Sequence, residues 1–335
     1  MDNKNKRITL AHGNGGRLMR QLIDDVFIRY LHNSLLDTRV DAVALESESQ
    51  GILMMTTDGF TVQPLEFPGG SIGSLAIDGT VNDLAVSGAE PKYLALNAFI
   101  EDGTEMALLE RLVQDMAREA KKCGVRVVTG DTKVVGRGEC DGVYFATTGI
   151  GIKDPSLNLG LDQIRTGDCV LVSGTVGDHG AAVMLARQEY GLSGDLVSDS
   201  ASVLPVARSL IRTGGLRFMR DPTRGGLATV VNDIARHTGL GVCLHEDSIP
   251  VCDQVNAVCE VLGLDPYYLA SEGRIVAVID PEAVPDALGG LSTLAPDARV
   301  IGTIEKGSGS VVIRTRFGGE RILDELEEDL LPRIC

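Results

Sequence analysis

A two-domain protein of alternating strands and helices, an α/β domain followed by an α+β domain, is the fold this sequence predicts, and three observations carry the prediction. The chain has 335 residues, and at roughly 150 residues per domain that is room for two independent cores. Its apolar segments alternate between short strand-like runs and longer runs with helical spacing, the pattern of sheets layered with helices. Midway, the stretch KDPSLNLGLDQIRTG from Lys153 to Gly167 is turn-rich and weakly periodic, as a boundary between domains is. The first domain is expected over residues 1–153, the second over 165–316, and a mobile tail over 320–335.

In chain order, ILMMTT from Ile52 to Thr57 reads as a strand closed by the turn dipeptide Asp58-Gly59. Ser71 to Ala89 carries apolar residues at helical spacing, with Gly88 and Pro91 as stop signals. Lys92 to Ile100 reads as a strand, and Thr104 to Gly124 as a long amphipathic helix capped by Thr104 and stopped by Gly124. VRVVTG and GVYFATTGIGI close the first half as strands. In the second half DCVLVSG is a strand, and His179 to Tyr190, Ala201 to Thr213 and Gly225 to Gly239 look helical. GVCLHE, RIVAVID, ARVIGTI and SVVIRT follow as strands, with helices between the first three. Asp324 to Leu331 could form an acidic helical turn stopped by Pro332, leaving Arg333, Ile334 and Cys335 beyond it with no further chain to pack them. The pentapeptide VNDLA at Val81 to Ala85 returns as VNDIA at Val231 to Ala235, an echo that chance or an ancestral duplication would both produce.

Composition excludes several classes of function. Lys plus Arg total 31 against 47 Asp plus Glu, a formal charge of -16, and such a surface repels phosphate backbones and anionic lipid heads. Nucleic acid and membrane are therefore not expected as partners. The sequence opens MDNKNKRITL, without the apolar core of a signal peptide, and no apolar run reaches the 18 residues of a membrane span, so a cytoplasmic location is expected. Seven Cys at irregular spacings argue for free thiols in a reducing compartment. Gly is 40 of 335 residues, well above the usual roughly 7%, which suits loops that approach a ligand closely.

The common phosphate motifs are missing: there is no G-x-x-x-x-G-K-[ST], and no G-x-G-x-x-G after a strand. In their place stand four Asp residues at Gly-rich element ends: Asp58 in TTDG, Asp83 in VNDLAVSGA, Asp131 in TGDTK and Asp221 in RDPTRGG. Mg²⁺ takes a few carboxylates together with substrate phosphates, although Asp beside Gly also simply makes turns. The loop His12-Gly13-Asn14-Gly15-Gly16-Arg17 could lay backbone N–H groups and one Arg on phosphate oxygens, although a Gly-rich N-terminal arm can equally be disordered. Lys133 shares a strand face with Asp131 and could contact phosphate or move a proton. Glu272, in SEGR before an apolar strand, is either a surface hairpin residue or a working carboxylate. Cys243, Cys252 and Cys259 with His245 match no zinc spacing, and the thiols outside loops read as core fillers. Cys335 is expected to act as a passive acceptor or carrier, because a neighbouring terminal carboxylate raises its thiol pKa.

Taken in order, GNGG, TTDG, VNDLAVSGA, GDTKVV, DPTRGGLA, SEGR and the closing PRIC resemble the hydrogenase-maturation carbamoyl dehydratases of the aminoimidazole ribonucleotide synthetase, or PurM-like, superfamily. The resemblance spans the whole chain, and the terminal Cys335 is its most discriminating feature. It implies a PurM-like fold whose first domain dimerises through its strands, and an ATP-dependent dehydration of an S-carbamoyl group on Cys335 to a thiocyanate. The carbamoyl group would come from the carbamoyltransferase HypF, and the nitrile would pass as cyanide to iron on a HypC–HypD scaffold. By the same resemblance Asp58, Asp83 and Asp131 would ligate Mg²⁺, with Asp221 and Thr223 near the ATP and Gly13 to Gly16 on its phosphates. Lys133 and Glu272 are then the candidates for proton transfer. A small-molecule kinase or synthetase of the same superfamily and a non-enzymatic scaffold for metal-centre assembly are the alternatives.

Overall fold

The computed structural model describes residues 7–9, 12, 17–34, 36, 51–188, 191–307, 309–325, 334 and 335. The chain divides into two compact units: one runs to Asp154 and takes in Cys335, the other comprises Ala85–Gly88 and Pro155–Ile334.

The first unit is built on a four-stranded sheet. Its elements are β1 (Ile52–Phe60), α1 (Ile72–Val86), β2 (Ala89–Glu101), α2 (Met106–Cys123), β3 (Arg126–Val135) and β4 (Val143–Lys153), and the strands lie in the order β1-β4-β2-β3. Only β2 and β3 run parallel, as a connection through a helix requires. The helix α1 is buried nearly all round, Ser74, Asp78, Thr80 and Asn82 included. Its Gly73 leaves no room for a side chain, since a Cβ there would sit 2.0 Å from the Leu112 carbonyl oxygen of α2. Amphipathic α2 buries Leu109, Leu112, Val113, Met116 and Ala120, the i, i+3, i+4, i+7 stripe of a helix packed on one side. The opposite face of the sheet leaves Leu53 67%, Met55 69% and Phe99 38% exposed.

Two sequence expectations change here. Asp58-Gly59 is not a turn: β1 continues through both, paired to Thr147 and Ala146, because a long antiparallel ladder outweighs the turn preference of the dipeptide. Thr104 is not the cap of α2. Glu105 occupies that position, and the Thr104 hydroxyl donates instead to the Gly142 carbonyl at 3.1 Å. Gly124 does end the helix, with φ 72°.

The second unit holds a seven-stranded sheet. Its elements are β5 (Cys169–Val172), α3 (Asp178–Arg187), α4 (Leu204–Arg212), β6 (Leu216–Arg220), α5 (Gly226–Thr238), β7 (Gly241–His245), α6 (Asp253–Leu262), β8 (Val276–Ile279), α7 (Val284–Leu291), β9 (Arg299–Glu305), β10 (Val311–Arg314) and β11 (Glu320–Ile322). The strand order is β11-β10-β7-β9-β5-β8-β6, antiparallel except between β10 and β7. Leu227, Val230, Val231 and Ile234 of α5 pack into the same core as Val170, Val276 and Ile301 from the strands.

The expected mobile tail from residue 320 is corrected by this sheet. Glu320–Ile322 forms its edge strand, Leu323 is wholly buried, and the Leu323 carbonyl accepts from Asn232 Nδ2 at 3.0 Å. Asp324 and Glu325 are not helical: the Asp324 carbonyl accepts from the Tyr268 hydroxyl at 2.8 Å, and Glu325 pairs with Arg236. The rest of the expected helical turn lies outside the described residues. Ile334 is not left unpacked either, being only 4% exposed. The VNDLA and VNDIA echo has a structural counterpart, for in each unit the Asp of the pentapeptide reaches back from a helix to a strand. Asp83 accepts from Thr56 and Asp233 from Arg220.

Candidate active site

In the first unit the pleat of the sheet sorts the candidate residues onto two faces. Directly paired residues share a face, and the row Asp58, Thr147, Leu96, Gly130 belongs to the face covered by α1. There Asp58 is half-buried, and its Oδ2 lies 3.9 Å from where a Cβ on Gly79 would stand. Asp83, one turn further along α1 and also half-buried, accepts from Thr56 Oγ1 at 2.7 Å. Asp58 and Asp83 therefore flank the same stretch of helix, as residues sharing a ligand would.

The next row, Gly59, Ala146, Asn97, Asp131, points to the opposite, open face. Asp131 lies there three strand spacings from β1, about 14 Å, so within this unit it cannot share one ion with Asp58. The expected grouping of Asp58, Asp83 and Asp131 is therefore not formed within this one unit, and among the described residues no group of three or more His, Cys, Asp or Glu is gathered to hold a metal ion. Asp131 instead pairs with Lys133 at 3.0 Å, both side chains more than half exposed. Their shared strand face was legible from the i, i+2 spacing. Cys335, half-buried, is held in this unit by a main-chain oxygen, which accepts from Thr61 N at 3.1 Å and from Thr61 Oγ1 at 3.3 Å.

In the second unit the loops after β5 and β6 and the loop before β8 meet at one end of the sheet. The β8–β6 register, Val276 opposite Arg220, continues outward as Ser271 N donates to the Pro222 carbonyl at 2.9 Å. That bond brings the Asp221-to-Thr223 loop beside Glu272. Asp221 is 9% exposed and Glu272 2%, so Glu272 is no surface hairpin residue. Gly273 explains how the chain gets there: a Cβ on it would lie 1.9 Å from the Asp199 carbonyl oxygen.

Around this loop is a polar network that sequence reasoning missed. Arg274 Nε donates to the Thr175 carbonyl at 2.9 Å and faces Asp199 Oδ2 at 3.5 Å, while its Nη2 reaches Asp178 Oδ2 at 3.3 Å. Thr175 Oγ1 also donates to Asp178, as does the Cys252 thiol at 3.3 Å. Asp199 Oδ1 accepts from Glu272 N at 3.1 Å. Burial pushes the Asp199 carboxyl up to about 6, against the opposing pull of the Arg274 guanidinium and the Glu272 N–H. His179, wholly buried, has Nδ1 2.8 Å from Ser198 Oγ and Nε2 2.7 Å from the Ile334 carbonyl oxygen. Burial drives its pKa down to about 4. The available signal was weak: Asp178-His179 at a helix start and Asp199 in a Ser-rich loop look like surface positions until the fold buries them. Gly13 to Gly16 lie outside the described residues.

The AIR synthase related protein N-terminal domain matches residues 39–153, and the C-terminal domain of the same family matches residues 165–314. The chain belongs to that family and, within it, to the carbamoyl dehydratase HypE family of hydrogenase maturation. It is 45% identical to the carbamoyl dehydratase HypE of Rhodobacter capsulatus, over 99% of both chains. A crystal structure of the hydrogenase maturation protein HypE in complex with ATP superposes with a TM-score of 0.93 at 42% identity, covering 98% of this chain and 99% of that one. A HypE–HypF complex matches with a TM-score of 0.79 at 39% identity, covering 91% and 99%. Among the described residues no helix is long and apolar enough to cross a membrane.

Proposed function

We propose that this protein, with ATP, dehydrates an S-carbamoyl group on Cys335 to a thiocyanate, the source of cyanide for the iron of a [NiFe] hydrogenase. The observation that supports it most is the way Cys335 is held within the first unit, its main-chain oxygen accepting from the Thr61 N–H and hydroxyl. Relatives crystallised with ATP and with HypF supply the nucleotide and the carbamoyl donor of the reading.

An amide oxygen leaves poorly, so the reaction runs through its phosphoryl ester. The carbamoyl oxygen takes the γ-phosphoryl group of ATP, releasing ADP. A base removes the nitrogen protons as the C–O bond breaks, and phosphate leaves behind S–C≡N. Mg²⁺, when bound, neutralises charge on the phosphates. Asp58 and Asp83 fit its oxygen-ligand preference, whereas Asp131, on the other face of the sheet, is assigned to orienting Lys133. Glu272 and Lys133 are the proton-transfer residues, with Asp221 and Thr223 beside Glu272 and Gly13 to Gly16 against phosphate. A second copy of this chain is proposed to cover the open sheet face of Leu53, Met55 and Phe99. The setting is the cytoplasm, with HypF as donor and a HypC–HypD iron scaffold as acceptor.

Intact-mass spectrometry after incubation with HypF, carbamoyl phosphate and ATP tests the reading. The chain should gain one carbamoyl group and then lose one water, and Cys335→Ala should show neither change. Modification persisting in that variant would overturn it.

A further inference from the structure

We propose that His179 is a positioning residue: with Ser198 it forms a buried latch that holds the residue before Cys335 by its main-chain carbonyl. The inference rests on the dehydratase reading for its purpose, but the latch itself is geometric. His179 is the second residue of α3 and has no exposed surface, Ser198 is 7% exposed, and Ile334 is 4% exposed.

The hydrogen bonds assign the ring's proton. A carbonyl oxygen only accepts, so Nε2, 2.7 Å from the Ile334 oxygen, carries the hydrogen. Nδ1 then accepts from the Ser198 hydroxyl at 2.8 Å. Ser198 Oγ in turn accepts from Ser200 N at 3.0 Å, which directs its own hydrogen toward the imidazole. The chain Ser200 N–H, Ser198 O–H, His179 Nε2–H, Ile334 C=O thus runs one way. It ends on main chain, so the latch reads the position of the backbone rather than the state of the neighbouring thiol. A free and a loaded Cys335 would be held alike.

The test is the rate at which iodoacetamide alkylates Cys335 in the full chain, read by peptide mass spectrometry so that the other thiols do not interfere. His179→Leu, which keeps bulk but donates nothing, should raise that rate about tenfold, the worth of one buried hydrogen bond. His179→Gln, with an amide N–H at similar reach, should return it to within about twofold of the unaltered chain. Equal rates in all three, or Gln behaving as Leu does, would overturn the latch. Should His179→Leu fail to fold, ¹⁵N NMR of the unaltered protein decides, because the latch requires the neutral Nε2–H tautomer and a protonated Nδ1 would refute it. Neither readout uses carbamoyl chemistry, so failure of the latch and failure of the dehydratase reading are separately visible.

Discussion

The two units place the charged side chains around their candidate proton-transfer residues in opposite environments. On the open sheet face of the first, Asp131 and Lys133 pair with more than half of each side chain in water. In the second, Asp178, Asp199 and Glu272 are each less than a tenth exposed, gathered round Arg274 and its loop. Exposed pairs contribute little to stability and are easily displaced by a ligand. Buried ones are already committed to geometry, and removing one partner strands the others. One unit offers charges to whatever binds, while the other fixes a framework before anything binds.

The largest expected effect follows from that contrast. Arg274→Met leaves Asp178 and Asp199 buried without their guanidinium and should destabilise the protein by about 3–5 kcal/mol, measured as a fall in the urea midpoint. Adding Asp178→Asn and Asp199→Asn should restore part of the loss. A small loss in Arg274→Met would break the comparison.

Next in size are two buried groups that titrate in opposite senses. In the first unit burial, helped by nearby Glu119, raises Asp78 from 3.8 to about 7, with Lys122, Cys123 and Arg118 pulling the other way. Its folded-state pKa lies above the unfolded one, so its contribution is full below about pH 4 and is lost as pH rises to about 7. His179 is lowered from 6.5 to about 4. Its contribution is present above about pH 6.5 and is lost as pH falls through about 4. At about 1.36 kcal/mol per pH unit these spans are on the order of 4 and 3 kcal/mol. The stability difference between the unaltered chain and Asp78→Asn should therefore decline from pH 4 to 7, and that for His179→Gln should grow over the same interval. Parallel curves would sink the assignment.

A matched glycine pair probes packing instead of charge. Gly273→Ala thrusts a methyl group against the Asp199 carbonyl oxygen, 1.9 Å away, whereas a Cβ on Gly59 meets nothing within 4 Å. Gly273→Ala should cost about 1–3 kcal/mol, and Gly59→Ala within about 0.5 kcal/mol. Comparable melting temperatures for the two variants would count against the rigid second-unit loop.

The same contrast explains what could be read in advance. Alternating strands and helices were legible because apolar periodicity reports burial directly, and so was the i, i+2 relation of Asp131 and Lys133. What failed were readings that depend on distant partners. Asp58-Gly59 looked like a turn, yet β4 pairs with both residues. Asp131 looked equivalent to Asp58, but strand register turns it to the other face. Arg274, Asp199 and His179 carry ordinary surface chemistry in the sequence, and only the convergence of loops at one end of the sheet buries them. Ile334, expected to have no further chain to pack it, is likewise buried by a residue distant in sequence, His179.

The smallest effect on stability, and the sharpest separation of function from folding, belongs to Lys133. Its partner Asp131 is 52% exposed and Lys133 itself 60%, so the pair is solvated and screened, and Lys133→Ala should change stability by less than about 1 kcal/mol. If Lys133 moves a proton in the dehydration, the same substitution should slow turnover by about 10²–10⁴-fold. Arg274→Met loses activity through lost structure, while Lys133→Ala should lose it with the fold intact. Urea unfolding and loss of water from the carbamoylated chain, followed on one preparation, measure both quantities. Undiminished turnover with normal stability would remove Lys133 from the chemistry and leave Glu272 as the proton-transfer candidate.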